Sequence, residues 1–203
     1  MIATKKLGRP RGFDDDTALL AAINMFWAKG YDGTSIKDLT STMGISAPSL
    51  YATFGDKLSI FRKAIDRYIK GDACAPLIAF EKAPSIEQAV RAFFETAIDF
   101  ATEHESGTRG CFLSSCAATS AGVVEGVGEL LSRSINIADA RLASRFEAEK
   151  AAGRLPANFP SLERARLLFD LRQGHVFRAR AGLAAGSMTG DLDHRIKMVL
   201  APA

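Results

Sequence analysis

Apolar residues recur at three- and four-residue spacing along most of this chain, the pattern of helices that each bury one face. Asp16 to Lys29 carries Leu19, Ala22, Ile23, Phe26 and Trp27 on one stripe, and Gly30-Tyr31-Asp32-Gly33 follows as a turn cluster. A second stripe, Ile36, Leu39 and Met43, begins after Ser35, with Asp38 three positions on as its partner in a capping box. Gly44 stands where that helix stops, because glycine enters the left-handed region without steric cost. Ile45 plugs the turn, Ser46 caps the next helix, Pro48 suits its first turn, and Leu50 and Phe54 face inward. Gly55 ends this helix. Asp56 then caps another over 57–71, with Leu58, Phe61, Ile65, Tyr68 and Ile69 inward.

Two short helices joined by a tight turn, with a third helix starting at once, have the layout of a helix-turn-helix, whose second helix enters the DNA major groove. Its outward positions, Ala47, Ser49, Tyr51, Ala52 and Thr53, are mostly small or polar and suit close approach to phosphates and base edges. A compact three-helix corner without DNA is the plainer alternative, but small outward residues have no packing reason to be there. Ahead of the first helix, Lys5-Lys6-Leu7-Gly8-Arg9-Pro10-Arg11 forms a basic arm. Arg9 and Arg11 suit a minor groove beside a major-groove helix; a solvated terminus is the alternative.

Beyond residue 71 the stripes continue. Gly71 and Pro76 are expected to break the helical pattern, and Ser85 to cap a central helix with Ala89, Val90, Phe93, Phe94, Ala97, Ile98 and Ala101 apolar. Glu105 to Gly110 is expected as a loop, and Cys111 to Ser120 as a short buried helix. Gly122, Gly126 and Gly128 read either as a pliable segment or as a loop and close packing before the next helix, Leu130 to Ala152. A linker, Leu155 to Pro160, precedes a helix over Ser161 to Leu183 with Leu168, Leu171, His175, Ala179 and Gly182 in its stripe. Gly186 to Gly190 is expected to be a flexible connection and Asp191 to Leu200 the last helix.

Charge sharpens this picture. Residues 1–70 hold 11 Lys and Arg against 7 Asp and Glu, while residues 71–203 hold 15 against 16, so the basic half is the half with the motif. No apolar run is long enough for a signal peptide or a membrane span, and three irregularly spaced cysteines make no disulfide framework, so a cytoplasmic location is expected. No nucleophile elbow, metal-ligand cluster or phosphate loop is present, and His104, His175 and His194 are scattered. An enzyme is therefore not expected, nor a cofactor or metal. A helical interaction module without DNA binding is the other alternative.

Gly8-Arg9-Pro10-Arg11, Phe26-Trp27, Gly30-Tyr31, Thr34-Ser35, Asp38-Leu39, Met43-Gly44-Ile45, Leu50-Tyr51, Phe54 and Gly55-Asp56-Lys57 together resemble the N-terminal domain of TetR-family transcriptional regulators. Arg109-Gly110-Cys111-Phe112-Leu113 is similar to a string in a subgroup of that family. The resemblance implies an all-α chain of about nine or ten helices. It divides the chain into a helix-turn-helix domain over 1–56 and a ligand-binding and dimerisation domain over 57–203, with 57–71 as the linking helix. It implies a homodimer through the two C-terminal helices, a palindromic double-stranded DNA operator, and repression relieved by a small molecule. The implied base-facing positions are Ala47, Pro48 and Ser49 beside the capping Ser46. Tyr51 and Thr53 would lie near the backbone, and Thr34 and Lys57 on phosphates. Thr53 departs from the histidine common there, replacing a charge with a hydroxyl.

A ligand cavity is expected between the helices of 85–120 and 130–180. Its candidate walls are Phe93, Phe94, Ala97, Phe100, Cys111, Phe112, Cys116, Val127, Phe146, Leu171 and His175, and so many phenylalanines favour an apolar or aromatic effector. His175 is a candidate polar contact or pH-sensitive group, or else a satisfied interface residue. Cys111 and Cys116 are candidates for a redox or electrophile sensor, or else inert buried thiols.

Overall fold

A computed structural model describes residues 14–103 and 110–202. Every regular element among them is helical. The basic arm with Arg9 and Arg11, and the loop residues His104 to Arg109, lie outside the described residues.

Helix α1 (Asp15–Gly33) starts at Asp14, whose carboxylate accepts from the Thr17 N–H at 2.9 Å. It is interrupted at Gly30, where φ is 74°, so the expected turn cluster forms a distinct last turn. The expected capping box opens α2 (Ile36–Met43): Asp38 N–H donates to Ser35 Oγ at 3.1 Å, and Ser35 N–H donates to Asp38 Oδ2 at 2.9 Å. Gly44 closes it at φ 66°, a conformation that admits glycine freely. Ser46 and Asp56 cap α3 (Ala47–Phe54) and α4 (Lys57–Lys70) as the sequence indicates.

Helix α4 packs on α1 through Phe26, Trp27, Phe61 and Tyr68, and its far end reaches the rest of the bundle. One hydrophobic core therefore runs from the first helix to the last, with no break at residue 56.

The chain then departs from the expected pattern. Pro76 does not break the structure but sits in the first turn of α5 (Ala75–Lys82), where a missing N–H costs nothing. Helix α6 (Ile86–Thr102), capped by Ser85, is the central helix expected. The segment after Cys111 is helical but begins with a π turn at Leu113–Ala117 before the short α7 (Ala118–Ser120). The residues between it and α8 (Val127–Ala151) are turns, so the glycines there serve a loop. Helix α9 (Ser161–Arg180) stops short of Leu183. The expected flexible connection at Gly186–Gly190 instead holds a helical turn, α10 (Gly186–Thr189), pinned by buried Met188. Helix α11 (Leu192–Leu200) ends the fold, so nine helices of eight residues or more stand among the described residues.

Candidate DNA-binding surface and internal cavity

The turn between α2 and α3 leaves one face of α3 to solvent. Leu50 and Phe54 are buried, while Ser46, Ala47 and Pro48 are exposed, Tyr51 is 52% exposed, and Ser49 and Thr53 are half-buried. The Ser46 and Ser49 hydroxyls bond each other at 3.0 Å and hold the first turn. Lys29 Nζ meets Asp38 Oδ1 at 2.7 Å, fixing α2 to α1, and with the Ser35 bonds it holds the Asp38 carboxyl far below its ordinary range. Arg67 grips Asp16 with two bonds, at 2.9 and 3.0 Å, tying α4 to the start of α1.

At the start of α4, Lys57 lies with Nζ 4.4 Å from the centre of the Tyr31 ring, which aims the ammonium beside the α3 face. Asp56 accepts from the Ser59 N–H, and the Ser59 hydroxyl first and then that N–H lower its pKa. The expected phosphate contact by Thr34 is not supported. Thr34 is fully buried, its hydroxyl donates to Gly30 O at 2.7 Å, and its N–H donates to Tyr31 O. Both donors are spent holding the last turn of α1.

The internal cavity lies where α4, α5, α6, α8, α9 and the π turn meet, with about 50 Å³ of free space. Of the candidate walls, Phe93 lines it; Phe94, Ala97, Val127, Phe146 and His175 are packed core instead. Phe100 and Leu171, half-buried, do not reach it either. Phe112 lies against Trp27, Phe61 and Tyr68, with ring centroids 5.4 to 6.1 Å apart, and Cys116 Sγ donates to Phe26 O at 3.2 Å. These two belong to the junction with the DNA-facing helices, while Leu113, next to Phe112, lines the cavity.

The walls missed from sequence include Ile69, Cys74, Arg141, Phe169 and Arg172. Neighbours on α8 and α9, such as Ile137 and Phe169, lie off the main stripes and gave no periodic signal. A larger depression of about 490 Å³ lies outside, between α6 and α11, beside the paired charges Arg91 and Asp193.

His175 is buried, in edge contact with Phe94 at 5.4 Å, and neither ring nitrogen has a hydrogen-bond partner among the described residues. It is thus not the satisfied residue of one expectation. Burial first, then the Arg195 charge, pushes its pKa down to about 4. The thiols differ. Burial raises Cys116 to about 11. Cys111 is lowered despite its burial, by the Arg172 charge and by the Tyr68 Oη–H that donates to Sγ at 3.5 Å.

The expected C-terminal stripes are used within the chain. Leu168, His175 and Ala179 of α9 are buried on its own bundle, as are Leu192, Ile196 and Val199 of α11. The apolar residues left outside are different ones: Phe177, 75% exposed, with Leu162, Leu183 and Met198.

Comparison with known proteins agrees with this geometry. Residues 18–64 match the family described as bacterial regulatory proteins, tetR family. The HTH-type transcriptional repressor ComR of Escherichia coli is 34% identical over 183 residues, 88% of this chain and 85% of that protein. The HTH-type transcriptional regulator EthR of Mycobacterium tuberculosis is 28% identical over 185 residues, 88% of this chain and 81% of EthR. Among solved structures, a cysteine-substituted form of the TetR family regulator CifR in complex with 26-bp operator DNA superposes with a TM-score of 0.84. It shares 30% identity over 93% of this chain and 98% of that one. No helix among the described residues is long and apolar enough to cross a membrane. The chain belongs to the tetR family of bacterial regulatory proteins, and it is a DNA-binding transcriptional regulator rather than an enzyme.

Proposed function

We propose that the protein is a dimeric cytoplasmic repressor that leaves a palindromic operator when a small molecule enters the cavity. Ala47, Pro48 and Ser49, beside the capping Ser46, face the bases of the major groove, and Tyr51 lies near the backbone. Thr53 and Lys57 approach the backbone, and Arg9 and Arg11 the adjacent minor groove. Residues 1–56 carry the DNA-reading role and residues 57–203 the effector and dimer roles. The homodimer forms on α9 and α11 through Phe177, Leu162 and Met198, apolar side chains that stand exposed to solvent.

The observation that carries the ligand-responsive reading is the double attachment of the π turn. Leu113 lines the cavity while the adjacent Phe112 is wedged between Trp27, Phe61 and Tyr68. Displacing Leu113 displaces Phe112, and with it the packing of α4 on α1. π turns recur at functional sites because the extra residue is held only by its surroundings. Ligand and DNA then bias one packing arrangement, and their binding free energies are reciprocally coupled.

The test is a gel-shift titration, at fixed salt, against palindromes in the promoter region beside this protein's coding sequence. Specific binding at nanomolar protein, weakened about tenfold or more by Tyr51→Ala with unchanged melting temperature, is expected. Salt-sensitive binding with no preferred fragment rejects the local-repressor reading. Sedimentation of Phe177→Asp, expected to be monomeric where the parent is dimeric, tests the interface.

A further inference from the structure

Two guanidinium groups line the cavity, and they differ in one respect. Arg141 is neutralised: its Nε and Nη2 meet the two carboxylate oxygens of Glu81 at 2.7 Å each. Arg172 has no such partner. It is 8% exposed, its one hydrogen bond among the described residues runs from Nη1 to Gln173 Oε1 at 2.7 Å, and no carboxylate pairs with it there. Its other neighbours are the Phe169 ring, 5.8 Å from Cζ, and the weakly acidic Cys111 and Tyr68. Guanidinium does not give up its proton, so it cannot escape burial by becoming neutral. A buried cation without a counter-anion among the described residues, in a wall that is mostly apolar through Phe93, Phe169, Leu113, Ile69 and Leu77, is an arrangement that an incoming anion completes.

Resting on the effector reading above, we propose that the cavity takes a small organic anion, a carboxylate with an apolar tail, and that Arg172 holds its charge. The planar fork accepts both oxygens of a carboxylate, and the tail displaces no polar contact from the aromatic wall. About 50 Å³ admits only a few atoms, so a longer tail has to push on Leu113, the residue joined to Phe112. Within this site the acid group gives recognition and the tail gives the displacement. Glu81 stays with Arg141 and does not compete.

The experiment uses the full chain at pH 7 and constant ionic strength, with butyrate and benzoate as probes and butyramide and benzamide as their uncharged counterparts. Binding is read by calorimetry and by the change in emission of Trp27, the one tryptophan, which touches Phe112. The acids are expected to bind and the amides to bind far more weakly. Arg172→Met should weaken acid binding about 30-fold or more, the scale for removing one side of a desolvated charge pair, and leave the amides unaffected. If Arg172→Met does not fold, Arg172→Lys keeps the charge and loses the fork. Acid preference should then persist at reduced affinity. Amides binding as well as acids, Arg172→Met retaining acid affinity, or neither class binding at millimolar concentration overturns the proposal. Acids that bind through Arg172 but leave operator affinity unchanged uphold the anion site and reject the effector reading instead.

Discussion

The helix ends in the two halves of the molecule are satisfied in different ways. In the DNA-facing half each cap comes from the neighbouring sequence: Asp14 with Thr17, Ser35 with Asp38, Ser46 with Ser49 and Asp56 with Ser59, all three residues apart. In the cavity half Ser85 caps α6 in the same local way, but the C-terminal ends of α5 and α11 are closed from far along the chain. Arg145 donates to Glu81 O and Ala83 O at 3.0 Å and to Phe80 O at 3.4 Å, across 62 to 65 residues, and so closes the end of α5. Arg164 does the same for α11 through Met198 O and Ala201 O. Local caps let a short helix form its ends before the rest has folded. Distant caps make α5 and α11 conditional on α8 and α9 being in place.

The largest effect should follow from breaking a distant cap. Arg145→Ala removes three carbonyl partners and one of the two cations on Glu149, whose side chain is almost fully buried. A loss of about 3 kcal/mol in denaturant-derived stability is expected, because acceptors and a carboxylate are left desolvated. A loss no larger than that of a local cap would show that the two kinds of helix end are equivalent.

Next comes pH. The carboxylates of the first half are lowered by bonds to their neighbours, as at Asp14 and Asp56, so they add stability above their unfolded pKa and lose it only in strong acid. His175, packed between Phe94 and the Asp191–Arg195 end of α11, runs the other way. Its pKa falls from 6.5 to about 4, so the unfolded chain takes up a proton first. Stability is full above about pH 6.5 and falls as pH drops toward 4, by on the order of 3 kcal/mol. His175→Phe should flatten that part of the curve of melting temperature against pH.

A smaller change is expected from Ser35→Ala, about 1 kcal/mol, with hydrogen exchange rising in α2 alone. Smallest is Gly186→Ala. Nothing lies within 4 Å of the added methyl group, so stability should rise by about 0.5 kcal/mol if α10 is the ordered turn described.

The same contrast decides what could be read in the sequence. Ser35, Asp38, Gly44, Ser46 and Asp56 announce α2, α3 and α4 because capping chemistry acts over three residues. The exposure of Tyr51 and the burial of Leu50 follow from the spacing alone. Helix α5 was hidden because its stabilising partner, Arg145, is more than sixty residues away, and Pro76 looked like a breaker instead of a first-turn residue. The cavity walls were mostly missed for a related reason. Phenylalanine marks core, and the core of this bundle is filled by Phe80, Phe93, Phe94, Phe146 and Phe159 packed on one another. What opens a space is the joint placement of α4, α5, α8 and α9, and no stripe on a single helix encodes that. Thr34 differs in the opposite sense. The family pattern named the position, but burial has taken its hydroxyl.

Helix α4 spans both halves as one uninterrupted rod of 14 residues, about 21 Å long. Near its start, Arg62 is clasped to the loop before α8: Nε donates to Glu125 O at 2.9 Å, and Gly126, at φ 77°, leaves no room for a Cβ beside the guanidinium. A push at the far end of a rod clasped near its start tilts it. A tilt of about 5° about Arg62 carries the start of α4, about 7.5 Å away, through about 0.7 Å, and two-fold symmetry doubles it to about 1.3 Å between the paired reading heads of the proposed dimer. In the function proposed, an effector in the small void beside Ile69 and DNA at the other end of the rod therefore bias one and the same tilt.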